Sequence, residues 1–290
     1  MKPKAINLAY IGSGGWARKH HFPALDYIRS QDGNPYAIKL RGITSLENEV
    51  AQAVAAQYGF ESVYPDVPTL LADEKVDAVA VAVNPESAKQ VLSQVAKRKI
   101  PIFSEKPPGI STMEAQELGQ LIDVPNVLAF NRRFIPLNQK FKQIVGEMDP
   151  ITFMEGSFYR HARLDETFMI GTGIHWINFI EFIFGEIQHV QTERWKNPEN
   201  ESWLRIAKLI FVSGLRGMIK VFPCTGSEYE RMTVHSHNQS IYLDGPMAGQ
   251  PGEIIIDHGN ERTVIEQPTP LPPDIVRLGI VGEYQAFFDL

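Results

Sequence analysis

The 290-residue sequence lacks the features that mark several protein classes. Its one cysteine, Cys224, excludes an internal disulfide and any metal site built from several thiolates. No apolar run approaches the roughly 20 residues that span a bilayer, and residues 1–6 lead into a strand pattern without a signal region. With 28 basic and 34 acidic side chains, the net charge of −6 leaves no concentrated basic face for nucleic acid. We therefore expect a cytoplasmic protein with neither a membrane nor a nucleic acid as partner.

The length and composition predict two globular domains. Hydrophobic residues make up 43% of the chain and charged residues 21%, as in an ordinary globular protein. In the first half, strand patterns at 5–11, 37–43, 77–83, 100–103 and 127–130 alternate with helical patterns at 47–57, 86–98 and 113–122. Strands that alternate with helices predict a doubly wound parallel sheet, the Rossmann arrangement of α/β proteins.

The pattern changes after about residue 150, where strands dominate. They are predicted at 151–160, 187–195, 203–212, 217–222, 232–237, 241–243, 253–257 and 263–266. One clear helix interrupts them at about 173–184, with Gly185 as its stop. This half is therefore predicted to be an α+β domain with a large, mostly antiparallel open sheet. We place the first domain at 1–130 and the second at 131–290.

The sharpest local signal is Gly12-Ser13-Gly14-Gly15-Trp16-Ala17, between the first strand and a helix. Spaced as G-x-G-x-x-A, it matches the dinucleotide-binding fingerprint. Its first glycine makes the tight turn, its second lets a pyrophosphate approach the backbone, and the alanine keeps the helix close to the sheet. The helix N-terminus then presents free N–H groups to the phosphates. Such a stretch also occurs as a merely structural turn, but the strand–turn–helix context favours nucleotide binding.

The end of the second strand bears on the choice between the two nicotinamide dinucleotides. An acidic residue there binds the ribose diol of NAD and repels the extra phosphate of NADP. This chain has Thr44 and Ser45, whose hydroxyls can accommodate a phosphate, and then Glu47, which opposes one. No adjacent arginine or lysine completes a phosphate clamp. Both cofactors stay open, with the hydroxyls slightly in favour of NADP.

A series of short motifs resembles a known dehydrogenase family. Glu105-Lys106-Pro107 follows a predicted strand and resembles the signature of the glucose-fructose oxidoreductase, inositol dehydrogenase and MocA (Gfo/Idh/MocA) family. Supporting matches are His21-Phe22-Pro23-Ala24-Leu25, Val83-Asn84-Pro85, Phe130-Asn131-Arg132-Arg133-Phe134 and Gly173-Ile174-His175. The resemblance implies an N-terminal dinucleotide-binding Rossmann domain and a C-terminal domain that binds substrate and forms oligomers. It also implies hydride transfer to or from a sugar, polyol or related substrate.

The glycine stretch and the resemblance together give the expected cofactor contacts. These are Gly12, Ser13, Gly14, Gly15, Trp16, Ala17, Thr44, Ser45, Val83, Asn84, Glu105 and Lys106.

Two side chains carry the expected chemistry. Oxidation of a secondary alcohol sends a hydride to the nicotinamide and a proton to a base. Lys106 lies at the carboxyl end of a parallel strand, where open α/β sheets bind ligands, and a lysine buried beside a cofactor titrates closer to neutrality than one in water. His175 lies in the first turn of the predicted helix, whose positive end disfavours a protonated ring and keeps a general base neutral. The alternatives are a solvent-exposed strand-end lysine and a histidine packed into the core.

The sequence departs from the family pattern around His175. Family dehydrogenases usually carry an aspartate four residues before this histidine and another three residues after it, where this chain has Gly171 and Asn178. Three upstream side chains could compensate: Asp165, Glu166 and Thr172. The departure leaves a second hypothesis open, a catalytically weakened nucleotide-binding regulatory or sugar-sensing protein of the same fold. A dehydratase-like or glycosidase-like user of the same cofactor is a third.

The second domain supplies further candidate residues. The expected substrate contacts are Lys106, Arg160, His175 and Asn178. Arg160, with its neighbours His161 and Arg163, either binds an acidic or polyhydroxyl substrate or faces solvent. His235 and His237 share one face of a strand, but no third ligand is near, so we expect no metal site.

The last strands and the C-terminal segment bear on assembly. The open sheet offers a broad face through which we expect a homo-oligomer to form. Residues 283–290 resemble the beginning of a helix after which family members continue. We therefore expect this end to be frayed or compensated by a partner subunit.

Overall fold

The computed structural model describes residues 4–148 and 150–290, so residues 1–3 of the N-terminal segment considered above lie outside the described residues. The chain divides into two compact units. One comprises Met1–Ala129 with Ile280–Leu290, and the other comprises Phe130–Gly279. Within the described ranges, no helix is both long and apolar enough to cross a membrane.

The first unit is built on a sheet of five parallel strands. These are β1 (Lys4–Ile11), β2 (Tyr36–Thr44), β3 (Ala78–Val81), β4 (Ile102–Ser104) and β5 (Asn126–Leu128), in the order β2-β1-β3-β4-β5. The helices are α1 (Phe22–Ser30), α2 (Asn48–Tyr58), α3 (Val67–Leu71), α4 (Pro85–Val95) and α5 (Thr112–Leu121). All of β3 is buried, as in a sheet covered on both faces. The predicted Rossmann arrangement is confirmed, and its strand order reverses beside β1, where such sheets bind ligands.

The second unit is built on an eight-stranded sheet whose core side chains pack with those of its first two helices. Its helices are α6 (Pro136–Gly146), α7 (Ile174–Phe184) and α8 (Asp274–Arg277). Its strands are β6 (Phe153–Tyr159), β7 (Ile187–Lys196), β8 (Trp203–Phe211), β9 (Arg216–Phe222), β10 (Tyr229–His235), β11 (Gln239–Asp244), β12 (Glu253–His258) and β13 (Glu261–Glu266). They lie in the order β13-β12-β11-β10-β6-β9-β8-β7, with only β6 and β9 parallel among the described pairs. The predicted mostly antiparallel sheet is confirmed.

Alternate residues of the second sheet form the core of this unit. In β6 and β10, inward side chains such as Met154, Phe158 and Met232 are buried while their neighbours are only partly covered. They pack against Trp176 and Phe179 of α7. This alternation is the period-2 pattern from which the strands were predicted.

The last helix, α9 (Ile280–Phe288), belongs to the first unit. The Tyr284 ring is fully buried and stacks on the Phe103 ring of β4, with the centroids 4.4 Å apart and the planes at 13°. Phe288 packs against Tyr36 of β2. The predicted second domain, 131–290, thus loses its last segment to the first unit, because these aromatic side chains are buried there. The segment is an ordered part of that core rather than a frayed end.

Two helices begin with a π turn, a rare element that often occurs at functional sites. One, Ala17–His21, precedes α1, and the other, Met169–Gly173, precedes α7. In the second case the side chain of Phe168, just before the turn, is buried in the core of the unit. The helical backbone begins at Met169, about one turn before the predicted start at residue 173. His175 is therefore in the second helical turn. The dipole argument for a neutral ring does not apply to it, since that effect falls off within the first turn.

Candidate functional site

The loop after β1 has the backbone that the glycine fingerprint requires. Gly12 has a φ of +104°, which L side chains rarely adopt, and a Cβ atom there would lie 2.1 Å from the carbonyl oxygen of Ala82. The Gly12 N–H donates to the Thr44 carbonyl at 2.8 Å, which ties the loop to the end of β2. Only glycine therefore fits the turn that carries the chain from β1 into the following helix.

Open space lies over the next part of this loop. A Cβ atom built on Gly14 or Gly15 meets no heavy atom of another segment within 4 Å. The Ser13 side chain is buried, yet its hydroxyl has no hydrogen-bond partner among the described residues. Buried hydroxyls normally have a partner, and a helix N-terminus attracts anions. The loop therefore fits a pyrophosphate, which would supply the missing partner.

The other expected cofactor contacts lie at the carboxyl ends of neighbouring strands. Thr44 and Ser45 are at the end of β2, Val83 and Asn84 follow β3, and Glu105 and Lys106 follow β4. Because β2, β1, β3 and β4 are adjacent and parallel, these positions share one edge of the sheet. Thr44 is buried, whereas Ser45 is partly exposed.

The carboxylate of Glu105 is a centre of hydrogen bonds in the first unit. Its Oε1 lies 2.8 Å from both Trp16 Nε1 and His21 Nε2, and its Oε2 accepts from the Lys106 N–H at 2.9 Å. Burial by itself raises the pKa of Glu105, but the contacts with His21 and the charge of Lys106 outweigh it and hold the pKa below its ordinary value. Glu105 is therefore ionised, and it joins the end of β4 to the helix that follows the glycine loop.

Sequence reasoning gave no role to two residues of this network. His21 entered only as part of a family match, and Tyr284 only as part of the C-terminal segment. In the structure, His21 is fully buried and its Nδ1 lies 3.0 Å from the Tyr284 hydroxyl. No local pattern could have joined residues 263 positions apart.

In the second unit, His175 is buried on α7. Its ring meets the Phe130 ring edge-on, with the centroids 6.0 Å apart and the planes at 89°. Trp176, the next residue, is also buried. Packing therefore fixes the orientation of the His175 ring, as a general base requires.

Asn178 lies one helical turn after His175, on the same face of α7. Its Oδ1 accepts a hydrogen bond from Arg133 Nε at 2.6 Å. The Arg133 guanidinium lies 5.9 Å and 5.5 Å from the ring centroids of Phe130 and Phe182. Burial lowers the pKa of Arg133, although nearby Glu181 opposes this shift. Asn178 thus supplies a hydrogen bond but no charge to a cation one turn from His175.

Arg160 is buried, so the solvent-exposed alternative weighed from the sequence is wrong. It is 6% exposed, its guanidinium lies 3.8 Å from the Phe158 ring centroid, and it donates to Glu230, which also pairs with Arg132 at 2.6 Å. Burial by itself raises the pKa of Glu230, but the two arginines lower it to about 2. The register places Glu230 of β10 opposite Phe158 of β6, so the arginine after β6 turns inward to pair with it.

Other candidates from the sequence have local partners. Asp165 binds Arg163 at 2.8 Å, and this hydrogen bond lowers the pKa of Asp165. His235 Nδ1 lies 2.8 Å from the Ser240 hydroxyl. In the part of the chain that the structure describes, no group of three or more His, Cys, Asp or Glu side chains is placed to hold a metal ion.

Comparison with known proteins relates the first unit to one family of oxidoreductases. Residues 6–131 match the GFO_IDH_MocA model, an oxidoreductase family with an NAD-binding Rossmann fold. Myo-inositol 2-dehydrogenase of Thermotoga maritima is 23% identical over 248 residues, which cover 78% of this chain and 70% of that protein. Two inositol 2-dehydrogenases of Corynebacterium glutamicum match over only 48% of their own length, so the chain spans about half of these relatives.

Solved structures share the fold along nearly the whole chain. A dehydrogenase from Chromobacterium violaceum has a TM-score of 0.85 at 19% identity, covering 99% of this chain and 87% of that one. Levoglucosan dehydrogenase in complex with NADH and L-sorbose has a TM-score of 0.80 at 17% identity, covering 98% and 89%. The first unit therefore matches the NAD-binding Rossmann domain of the Gfo/Idh/MocA oxidoreductases, and the whole chain shares the fold of solved dehydrogenase structures.

Proposed function

We propose that this protein is a nicotinamide-dependent dehydrogenase or reductase that interconverts a secondary alcohol and a carbonyl on a sugar, polyol or related small molecule. The observation that carries the proposal is the glycine loop, with its open backbone at Gly14 and Gly15 and the unpartnered hydroxyl of Ser13. Relatives by sequence and fold include a myo-inositol 2-dehydrogenase and a levoglucosan dehydrogenase. Their names support a polyol or sugar derivative as the substrate class.

Each unit contributes its own residues to this chemistry. When bound, the nicotinamide accepts or supplies the hydride. Lys106 hydrogen-bonds the substrate oxygen and relays its proton, and Glu105 fixes the backbone of this lysine. His175 is the general acid–base group, oriented by its packing against Phe130. Asn178 acts with it in substrate binding, while Arg160 supports the sheet through Glu230.

Purified protein, both dinucleotides and a panel of sugars and polyols test the proposal. We expect NAD or NADP to stabilise the fold, by about 2.7 kcal/mol at a hundred times the Kd. We also expect a change in nicotinamide absorbance with at least one substrate, reduced about a hundredfold or more in Lys106→Ala and His175→Ala. Absence of stabilisation by either dinucleotide contradicts the proposal.

The second hypothesis, a nucleotide-binding sensor, is favoured by one observation. Gly171 and Asn178 provide no carboxylate near His175, and Asp165 is engaged by Arg163. Dinucleotide binding without turnover across the panel would support the sensor. In that case Lys106→Ala changes only affinity.

We propose NAD as the preferred cofactor. The slight preference for NADP rested on Thr44 and Ser45, and Thr44 is buried. After it, the turn exposes Glu47 and Glu49, and no basic residue lies between positions 44 and 49. These carboxylates oppose the extra phosphate of NADP. Titration with both dinucleotides measures the preference, and tighter binding of NADP overturns it.

We also propose a homo-oligomer that forms through the outer face of the second sheet. Strand β7 is exposed over nearly its whole length, and on this face it displays Trp195 to solvent. Trp195 packs edge-on to Phe222 at 6.0 Å, and Phe222 stacks on Tyr159 at 4.8 Å. Exposed apolar patches of this kind mark protein interfaces. Light scattering of the wild type and of Trp195→Glu tests this, with a monomeric wild type as the contrary result.

A further inference from the structure

We infer that His21 and Tyr284 are positioning residues of the dinucleotide site, and that they act through Glu105. The inference rests on the proposed function, because it takes a dinucleotide as the ligand of the glycine loop. It concerns a chain of hydrogen bonds inside the first unit, from Tyr284 through His21 to Glu105, which we call the Tyr–His–Glu chain.

The Tyr–His–Glu chain joins three parts of the unit. The Tyr284 hydroxyl, on α9, lies 3.0 Å from Nδ1 of His21. His21 belongs to the π turn after the glycine loop, and its Nε2 lies 2.8 Å from Oε1 of Glu105 at the end of β4. His21 and Tyr284 are fully buried and the Glu105 side chain is 13% exposed. Water therefore competes little for these hydrogen bonds.

The chemistry of the three groups gives this chain a direction. Glu105 is ionised, and a carboxylate only accepts, so His21 Nε2 carries a hydrogen and donates it. With that hydrogen placed on Nε2, we assign Nδ1 as the acceptor for the Tyr284 hydroxyl. Burial raises the pKa of Tyr284 well above its ordinary value and keeps that hydroxyl protonated. Each donor in the chain thus has one acceptor.

Glu105 connects the Tyr–His–Glu chain to the candidate site. The same Oε1 that His21 contacts also accepts from Nε1 of Trp16, within the glycine stretch, and Oε2 accepts from the N–H of Lys106. The orientation of the carboxylate therefore sets both the Trp16 side chain and the backbone of the proposed proton-carrying lysine. Through His21, a hydroxyl on α9 fixes that orientation.

A purely structural role for Tyr284 would be to hold α9 in place, and its ring can do this without its hydroxyl. The ring stacks on Phe103, so Tyr284→Phe keeps the packing and removes the hydroxyl, which contacts His21 and also interacts with the Tyr10 side chain. Tyr36 provides a matched control, because its hydroxyl donates to Asp289, just after α9, and has no contact with Glu105. Tyr36→Phe thus removes the hydroxyl contacts of Tyr36 with Asp289 and with the Gln285 carbonyl of the same segment.

Two substitutions at His21 separate its two contacts. Asparagine reaches about as far as Nδ1 and keeps a partner for Tyr284, whereas glutamine reaches the position of Nε2 and keeps a donor for Glu105. The measurements are the Kd for NAD and NADP, and the Trp16 fluorescence without dinucleotide, obtained as the difference between each protein and its Trp16→Phe counterpart.

We expect weaker dinucleotide binding, about threefold in Tyr284→Phe and about tenfold in His21→Asn, as follows from loss of one buried hydrogen bond. Both variants shift the Trp16 emission. His21→Gln restores most of the affinity, and Tyr36→Phe changes neither quantity.

The outcomes separate this inference from the proposed function. A wild type that binds neither dinucleotide overturns the proposed function and, with it, the dinucleotide part of the inference. The Trp16 emission then tests only whether the Tyr–His–Glu chain positions Trp16. A wild type that binds, with unchanged Kd and unchanged Trp16 emission in Tyr284→Phe and His21→Asn, overturns the inference and leaves the proposed function intact.

Discussion

Arg133 donates a hydrogen bond from Nε to Oδ1 of Asn178 at 2.6 Å, one helical turn beyond His175. The contact joins the segment that opens the second unit to helix α7 across 45 positions of sequence. A partly buried cation is thus held by a neutral amide, at the position where the family pattern has a carboxylate.

Asn178→Asp is expected to turn this contact into an ion pair. The gain in the free energy of unfolding at pH 7 should be about 0.5–1 kcal/mol, because the pair is only partly buried. Asn178→Ala should lose about 1.5–3 kcal/mol, since the hydrogen bond is to a charged group. Urea denaturation measures both changes. In an Arg133→Met background, Asn178→Asp should no longer increase the free energy of unfolding. An equal increase in that background would refute the ion pair.

Gly12→Ala and Gly14→Ala should affect different properties. The added methyl at Gly12 meets the Ala82 carbonyl at 2.1 Å in a strained backbone, so we expect a loss of about 2 kcal/mol or more in stability. At Gly14 nothing in the protein opposes the methyl, so stability should stay within about 0.5 kcal/mol. Dinucleotide affinity should nevertheless fall about tenfold or more, because the methyl fills the space for the pyrophosphate.

Thermal denaturation and dinucleotide titration distinguish the two glycine variants. Gly119→Ala, on α5 and with open space around it, is the control that should change no affinity. Unaltered dinucleotide binding by Gly14→Ala would argue against a phosphate at this loop.

Gly171→Asp should increase turnover. A Cβ atom there meets no heavy atom of another segment within 4 Å, so the side chain fits on the π turn before α7. The carboxylate restores the charge that family dehydrogenases carry four residues before this histidine, and we expect kcat to rise about tenfold, within the range of acid–base effects. Gly171→Asn, of the same size without the charge, should leave kcat unchanged. A similar kcat for both variants would exclude the charge as the missing factor.

Glu230 should make stability fall at acid pH. Its folded pKa of about 2 lies below its ordinary value of 4.5, so its contribution is present above pH 4.5 and is lost as the pH falls towards 2. This pKa shift corresponds to a contribution of about 3 kcal/mol to the free energy of unfolding. Urea denaturation between pH 7 and 2.5 should show a shallower acid slope in Glu230→Gln than in the wild type. Asp257→Asn, which breaks the exposed pair with Arg262, is the control and should change the slope less.

Leu46→Arg should change the choice of cofactor. Leu46 follows β2 and is 98% exposed, so a longer cationic side chain is accommodated without repacking. A guanidinium beside the ribose favours the extra phosphate, and we expect the affinity for NADP to rise about tenfold while that for NAD stays nearly constant. Leu46→Gln is the uncharged control. Titration with both dinucleotides measures the two affinities. An equal increase in the affinities for NADP and NAD would disprove phosphate recognition at this position.

Elements with a strong local signal were predictable from the sequence. The buried apolar run at β3 and the alternating pattern of β6 and β10 gave strands close to their observed bounds, because burial on one or two faces imposes those periods. Likewise the turn at Gly12 follows from a local spacing that only glycine satisfies.

Features that depend on distant partners were not predictable. The inward turn of Arg160 requires Glu230, 70 positions away, and the burial of His21 requires α9 from the other end of the chain. The early start of the helix before His175 arises from the packing of Phe168, which no capping signal marks. Contacts between residues so far apart leave no local pattern in a single sequence.

The return of α9 to the first unit has a consequence for the order of biosynthesis. The second unit is one continuous segment, so it can complete its core while the chain is still being made. The first unit cannot, because Tyr284, Phe287 and Phe288 are buried in it and are translated after everything else in that core. Domains usually fold from the N-terminus first during synthesis. Here the core of the N-terminal unit is complete only when α9 has been added, so we expect tight dinucleotide binding only from chains that reach residue 288.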